Sequence, residues 1–298
     1  MPHRYISKEG SAIINIARYL ITTEAKERLR TIDSLSDEFE VSVGFIQKAL
    51  TTLESEGAIT LRKQGRNGTF IDMLNYEALV KKAGFSHLVC AMPLPYTKHY
   101  EGLASGLKMQ MGHLPLYFAH MRGADARSEC LKKGTYDVAI MSKLAAKAVG
   151  PGVKIAFDLG TQTYSLEHKL ICRKDEVNNI KKVGVDPSSP DQKILTEKAF
   201  PNHDVEIVEI NYTDSLNLLK TGTIDAVVWL PEAVDASCAS LTELSLSHIP
   251  ECQQASEAVI LVNSDSPYMC SLMRKLLNIH TLLEHQEAVI NGEIIPSY

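Results

Sequence analysis

Residues 39–57 read Phe39-Glu40-Val41-Ser42-Val43-Gly44-Phe45-Ile46-Gln47-Lys48-Ala49-Leu50-Thr51-Thr52-Leu53-Glu54-Ser55-Glu56-Gly57. Ile46, Ala49, Leu50 and Leu53 recur at helical spacing, which predicts a helix with one buried face. Ser42 supplies a capping hydroxyl in front of it, and Gly57 ends it. Upstream, Thr31 is a good N-cap for a short helix burying Ile32, Leu35 and Phe39. A longer helix from Lys8 to Ile21 places Ile13, Ile16, Ala17 and Leu20 on one face. Two short helices joined by a tight turn at Glu40-Val41, after a longer one, predict a helix-turn-helix.

Downstream, Ala58–Arg62 alternates like a strand, Gln64–Gly68 is rich in turn residues, and Thr69-Phe70-Ile71 can return as a second strand. Asn67-Gly68 inside that turn is a hairpin signal. Arg62, Lys63 and Arg66 then crowd the tip of a wing. Their clustering matters because residues 1–73 carry ten Lys and Arg against ten Asp and Glu, so the net charge of -5 arises entirely beyond them. Any grip on DNA must come from local cations and not from bulk charge.

The run from Phe39-Glu40-Val41-Ser42 through Leu53-Glu54 and Glu56-Gly57 to Gly65-Arg66-Asn67-Gly68-Thr69-Phe70 resembles the GntR family of winged-helix regulators. The resemblance implies a double-stranded DNA operator as partner, with Ser42–Ser55 as the recognition helix in the major groove. Ser42, Phe45, Gln47, Lys48 and Thr51 are the expected contacts of that helix. Arg62, Lys63, Arg66, Asn67, Gly68 and Thr69 are those of the wing. Three departures stand out: Glu40 where the family usually has Gly, Val43-Gly44-Phe45 where Arg or Thr commonly begins the helix, and the extra Asn67. Two-fold operators imply a homodimer.

Beyond this winged helix-turn-helix (1–73), residues 74–86 read as a helical linker, and 87–298 as a two-lobed α/β domain. Strands are expected at His87–Met92, Leu116–His120, Asp137–Met141, Val153–Leu159, His168–Cys172, Lys182–Asp186, Val205–Ile210, Asp225–Leu230 and Val259–Val262. Helices are expected at Lys98–Gln110, Asp125–Lys133, Gln192–Ala199, Asp214–Thr221 and Tyr268–His285. Alternation of strand and helix predicts parallel sheets. Leu131–Ile140 and Leu218–Val228 share a form: a helix end, then Lys, Gly, Asp and a buried strand. With that internal match, the domain resembles the type II periplasmic-binding-protein fold, which also serves LysR-type regulators as effector domain. The resemblance implies one lobe over about 87–165 and 233–298 and another over about 172–232.

In such sheets ligands sit beyond the carboxyl ends of strands. Tyr96, Thr97, Arg122, Ser142, Lys143, Ser188, Ser189, Tyr212 and Thr213 follow strands and precede helices, and Trp229 ends a strand. Free N–H groups at helix starts favour an anion. A small carboxylate or phosphorylated effector is therefore expected, with Arg122 as counter-ion, although Ser and Thr are also ordinary helix caps.

The remaining chemistry is sparse. Composition is that of a globular protein, 45% hydrophobic and 22% charged. No stretch reads as a secretory signal or approaches the ~20 apolar residues of a membrane helix, so a cytoplasmic protein is expected. Six scattered cysteines read as reduced thiols. Gly102–Gly106 puts Ser105 one position late for a nucleophile elbow, there is no P-loop, and His280 and His285 lie on different helix faces. No metal, cofactor or catalytic group is expected. The leading reading is a ligand-responsive DNA-binding regulator. The alternatives are an enzyme on the same fold using Asp186 or Glu232, and a protein-interaction adaptor.

Overall fold

The computed structural model describes residues 7–112, 114–202, 204–230 and 240–298. The chain divides into two compact units. One takes the described residues up to His87 together with Ser266–Lys275, and the other takes most of the rest.

The first unit opens with α1 (Lys8–Ile21), α2 (Ile32–Phe39) and α3 (Val43–Ser55). Thr31 caps α2 as expected, its hydroxyl accepting from Ser34 N at 3.3 Å. Of the α2 residues expected inside, Leu35 alone is fully buried; Ile32 and Phe39 are half-buried. Ser42 occupies the N-cap of α3 in an extended conformation but makes no side-chain cap bond. That hydroxyl is left exposed for another partner. Glu40 takes the left-handed conformation that the turn demands, at φ 53° and ψ 39°, a conformation glycine would adopt with less strain.

The wing is β1 (Ile59–Lys63) paired antiparallel with β2 (Thr69–Leu74). The turn between them is a 3-10 turn over Gly65–Asn67, longer than a two-residue Asn-Gly hairpin. Before α2, residues 26–29 run beside β2 and make an isolated antiparallel bridge, Arg28 opposite Phe70: Lys26 N donates to Ile71 O at 2.6 Å and Leu29 N to Thr69 O at 2.8 Å. The stretch read as a linker begins inside β2 and contains α4 (Tyr76–Lys82), which packs on α1. Leu79, Val80 and Ala83 of this stretch are buried, and Arg18 Nε donates to Ala83 O at 3.1 Å. The late segment joins the same unit through Lys275, whose Nζ donates to Thr23 O at 3.1 Å.

The second unit runs β3 (Leu88–Met92), α5 (Lys98–Met111), β4 (Leu116–His120), α6 (Ala124–Lys132), β5 (Val138–Ser142), α7 (Lys143–Ala148) and β6 (Val153–Asp158). It continues through β7 (Lys169–Arg173), β8 (Lys182–Val185), α8 (Pro190–Ala199), β9 (Glu206–Glu209), α9 (Ser215–Lys220), β10 (Ala226–Trp229), β11 (Leu241–Ser245) and α10 (Pro250–Ser256). It closes with β12 (Ala258–Asn263) and α12 (Ile279–Ile290), while α11 (Pro267–Leu276) lies mostly in the first unit. The helix expected over Tyr268–His285 is thus two helices, broken where Asn278 caps α12 through Thr281 N at 3.1 Å.

Among the described residues the strands form two five-stranded sheets, ordered β4-β3-β5-β12-β6 and β9-β8-β10-β7-β11. Written this way, the two lobes have the same topology. Three parallel strands lead each sheet, and β12 or β7 then runs antiparallel. The expectation of purely parallel sheets is corrected on this point. Strands that cross over between the lobes enter the other sheet from the opposite direction. β11 lies in the second sheet, so Leu241–Ser245 belong to that lobe and not, as expected, to the first.

The repeated sequence motif has a structural cause. After α6, Gly134 N donates to Leu131 O and Asp137 N to Val89 O, both at 3.0 Å; after α9, Gly222 N donates to Leu219 O at 3.2 Å and Asp225 N to Lys182 O at 2.8 Å. Each aspartate carboxylate returns a bond to the neighbouring strand: Asp137 accepts from Val89 N and Asp225 from Lys182 N, both at 2.8 Å. One device therefore turns helix into central strand in both lobes.

Candidate functional site

In the first unit, Ser42, Gln47, Lys48 and Thr51 of α3 are exposed, as are Arg62, Lys63, Arg66 and Asn67 of the wing, while Phe45, Gly68 and Thr69 are half-buried. Gln47, Thr51, Lys63, Gly68 and Thr69 line one groove between helix and wing. Two cations that the sequence reading passed over, Arg28 and Arg30, line it too. Arg28 lies so close to the wing turn that a Cβ on Gly68 would meet its Nε at 2.8 Å. The isolated bridge to Phe70 brings it there, and a pairing of one residue leaves no periodic signal in the sequence. Not every expected cation is free: Lys48 pairs with Glu9 at 2.9 Å, and Arg62 with Asp72 at 2.9 Å. Arg30 is paired with Glu38. Lys63, Arg66 and Arg28 carry no ion pair among the described residues, so unpaired positive charge gathers about the wing turn.

In the second unit, the loops after β3, β4, β8 and β9 converge on a cavity of about 100 Å³. This is the crevice beyond the carboxyl ends of parallel strands. Of the expected ligand residues, Tyr96, Arg122, Ser188, Ser189 and Tyr212 line it. Thr97, Ser142, Lys143, Thr213 and Trp229 do not. Thr97 caps α5 through Tyr100 N at 3.4 Å, and Ser142 caps α7 through Ala145 N at 3.0 Å. Lys143 pairs with Asp158 and Glu257, both at 2.7 Å, and Thr213 bonds the Asn211 side chain at 2.8 Å. Trp229 stacks behind Tyr212 with ring centroids 3.9 Å apart.

Arg122, expected to be the counter-ion, is already paired. Its guanidinium meets the carboxylate of Asp186 at the end of β8. Burial alone would raise the Asp186 pKa, but bonds from Ser188, Arg122 and Tyr212 N outweigh it and hold the group below its ordinary value. Asp186 is therefore a firmly ionised carboxylate and a poor proton carrier at neutral pH. Glu232, the other carboxylate of the enzyme reading, lies outside the described residues.

The cavity holds a second arginine instead. Arg127, 4% exposed, donates from Nη1 to Met121 O at 2.8 Å and from Nη2 to Tyr164 Oη at 3.3 Å. Its Nε has no hydrogen-bond partner, and no carboxylate pairs with it among the described residues. A buried cation satisfied only by a carbonyl and a phenol is costly unless an anion joins it. Nearby, His168 is 5% exposed with Nδ1 unpartnered, and burial lowers its pKa to about 4. Asp191 accepts from Ser142 Oγ at 2.7 Å, and burial raises its pKa to about 6. Tyr100 and Tyr164 pack at 4.8 Å and complete the wall. The sequence held one signal for this second arginine: Arg127 shares the buried face of α6 with Ala124 and Leu131.

A helix-turn-helix domain family matches residues 24–71, and the YhfZ C-terminal domain family matches residues 75–298. The chain belongs to the YhfZ family. It is 46% identical to protein YhfZ of Escherichia coli (strain K12), with all of both chains covered. It is also similar to the crystal structure of YhfZ from Shigella flexneri, at 46% identity and a TM-score of 0.68, covering 74% of this chain and 97% of that one. More distant likenesses fix the fold of the YhfZ C-terminal domain. The aliphatic sulphonate binding protein SsuA of Escherichia coli matches at a TM-score of 0.52 and 15% identity, over 70% of this chain and 75% of that one. The substrate-binding protein AbpA of Streptococcus pneumoniae matches at 0.52 and 18%, over 71% and 95%. The fold is that of periplasmic binding proteins, carried behind a helix-turn-helix domain. Among the described residues no helix is long and apolar enough to cross a membrane.

Proposed function

We propose that this YhfZ-family protein is a DNA-binding transcription regulator whose operator affinity responds to a small anion held in the interlobe cleft. The observation that carries the effector half is Arg127: a buried guanidinium in the cavity wall that has, among the described residues, no partner for its Nε and no carboxylate paired with it. A carboxylate, sulfonate or phosphate oxygen would satisfy it. The DNA half rests on the helix-turn-helix domain and on the groove between α3 and the wing. The likeness of those segments to GntR regulators supports the same use of the recognition helix. A two-fold operator calls for two copies of the chain.

The reading is tested by fluorescence anisotropy of the full chain on DNA from upstream of its own gene, with and without added small anions. An operator affinity shifted about 5- to 150-fold by an anion supports it. Equal affinity with and without every anion tried sinks the effector half. Absence of any complex at low salt sinks the DNA half.

A further inference from the structure

Arg127, which has no ion pair among the described residues, shares its cavity with an acid that has none either. Asp191 sits on the first turn of α8 and crosses to the other lobe by accepting the Ser142 hydroxyl at 2.7 Å. Arg127 faces it from α6, and both line the same cavity. The other groups around it are Tyr164 and His168 from the segment between β6 and β7, Tyr212 from the loop after β9, and Cys252 from α10. Lys143 of α7 serves Asp158 and Glu257, Lys198 of α8 serves Glu251 of α10 at 3.3 Å, and Asp186 serves Arg122. Among the described residues Arg127 is the cation whose field favours ionised Asp191, and it is also the cation that an incoming anion would use.

We infer that the anion enters this cleft together with a proton, the anion on Arg127 and the proton on Asp191. The inference rests on the anion reading above. The bonds from Ser142 Oγ and Ala145 N and the field of Arg127 favour ionised Asp191; an anion laid on Arg127 cancels that field and adds a like charge beside the carboxylate, and two negative groups sharing one site drive the second to protonate. The proton comes from solvent and goes to the Asp191 carboxylate. Burial has already raised Asp191 to about 6, so a small further rise suffices at neutral pH. His168, held at about 4, needs a much larger change to take the same proton. The state with an empty cleft and the state with a filled one then differ by one bound proton at most. The regulator's sensitivity to its effector becomes a function of pH.

Trp229 is the chain's single tryptophan and stacks on Tyr212, a residue of the cavity wall, so its fluorescence reports the cleft and not the wing. The probe is sulfate, whose own charge is fixed between pH 6 and 9. Sulfate is titrated into the full chain, and into the D191N and H168N variants, at several pH values in that range. The wild-type affinity is expected to fall roughly two- to threefold from pH 7 to pH 8. D191N keeps an oxygen to accept from Ser142 and is expected to bind with little pH dependence, while H168N retains the wild-type dependence. A pH-stat measurement on unbuffered wild-type protein, showing proton uptake on adding sulfate, gives the same answer without any variant. Sulfate binding with a flat pH profile and no proton uptake overturns the coupling and leaves the anion site standing. A dependence that survives D191N and vanishes in H168N overturns the assignment to Asp191. No sulfate response at any pH overturns the anion site itself.

Discussion

Arg122, on the loop after β4, and Asp186, at the end of β8, form an ion pair that ties one lobe of the cleft to the other. The pair is asymmetric: the Asp186 side chain is 3% exposed and that of Arg122 is 36% exposed. Gly123 beside it has φ +82°, and a Cβ there would meet Ser188 O at 3.1 Å, so the two lobes are in van der Waals range along this edge. The chain's own carboxylate thus fills the seat that the sequence reading reserved for a ligand. Replacing Arg122 by Ala leaves Asp186 buried with its Ser188 and Tyr212 donors only. Urea unfolding at pH 7 is expected to show a loss of about 2 kcal/mol. Because the folded pKa of Asp186 is depressed, the pair's contribution is present above the ordinary value of 3.8 and is lost as pH falls through the folded pKa. The gap between wild type and R122A should therefore close below about pH 4. A gap that stays constant into acid would show that the carboxylate is not what Arg122 stabilises.

On the wing, cations of equal formal charge are not equal in availability. Lys63 and Arg66 have no ion pair among the described residues, whereas Arg62 is held by Asp72. Lys63→Ala and Arg66→Ala are each expected to lower the salt slope of operator binding by about 0.9, the value for one lost phosphate contact. Arg62→Ala should lower it less, because that guanidinium must leave Asp72 before it can reach DNA. Arg28→Ala is expected to behave like the wing-tip variants, since its side chain lies on the wing turn. Slopes of log Kobs against log salt for the four variants decide the order.

How far the sequence could be read depended on how local each signal was. The helices of the first unit, the wing and nine of the strands were legible because each carries its own periodicity, cap or turn. The repeated Gly and Asp at 134/137 and 222/225 disclosed two like lobes because the device is contained within ten residues. What escaped was decided between segments distant in the chain. Antiparallel entry of β7 and β12 depends on where the crossovers run, and no residue pattern within a strand encodes it. Arg122 and Asp186 are 64 residues apart, so the pairing that removes Arg122 from the ligand's reach has no local trace. Thr97, Ser142 and Thr213 were expected in the cleft by the same hydroxyls that in fact serve as caps and turn bonds. Arg127 was readable in principle, as a charge on an apolar helix face, but that pattern points to burial and not to a partner.

Within the second unit, Gly102 and Gly106 do mechanical work that their place near a serine disguised. They let α12 lie against α5: a Cβ on Gly102 would meet Gln286 Cα at 3.0 Å, and one on Gly106 would meet Leu282 Cδ1 at 2.8 Å. Ser105, between them, bonds His285 Nε2 at 2.9 Å and accepts Ser297 N at 3.1 Å, holding the chain's last residues against the lobe. Overpacking a tight contact costs roughly 1–3 kcal/mol. Gly102→Ala should fall at the upper end because it confronts backbone, and Gly106→Ala at the lower end because a leucine methyl can rotate away. Thermal melts of both variants test the order, and a G106A loss exceeding that of G102A would contradict it.

Two groups of the cleft, the half-buried Asp191 and the buried His168, pull stability in opposite directions over the same pH range. Asp191 has a folded pKa of about 6 against an ordinary 3.8, so the folded state holds its proton more tightly. Its contribution is most favourable in acid and declines as pH rises through about 6. His168 has a folded pKa of about 4 against an ordinary 6.5, so the unfolded state binds the proton first. Its contribution is fully present above 6.5 and declines as pH falls toward 4. Each effect amounts to about 3 kcal/mol over the window, so in the wild type they largely cancel. Removing one exposes the other. His168→Gln should leave a protein whose stability relative to wild type rises as pH is lowered from 6.5 to 4, by up to about 3 kcal/mol. Asp191→Asn should do the reverse, losing ground to wild type over the same descent. Urea unfolding of the three proteins at half-unit pH steps measures both slopes. Parallel profiles for all three would mean that neither group keeps its buried, shifted state in solution.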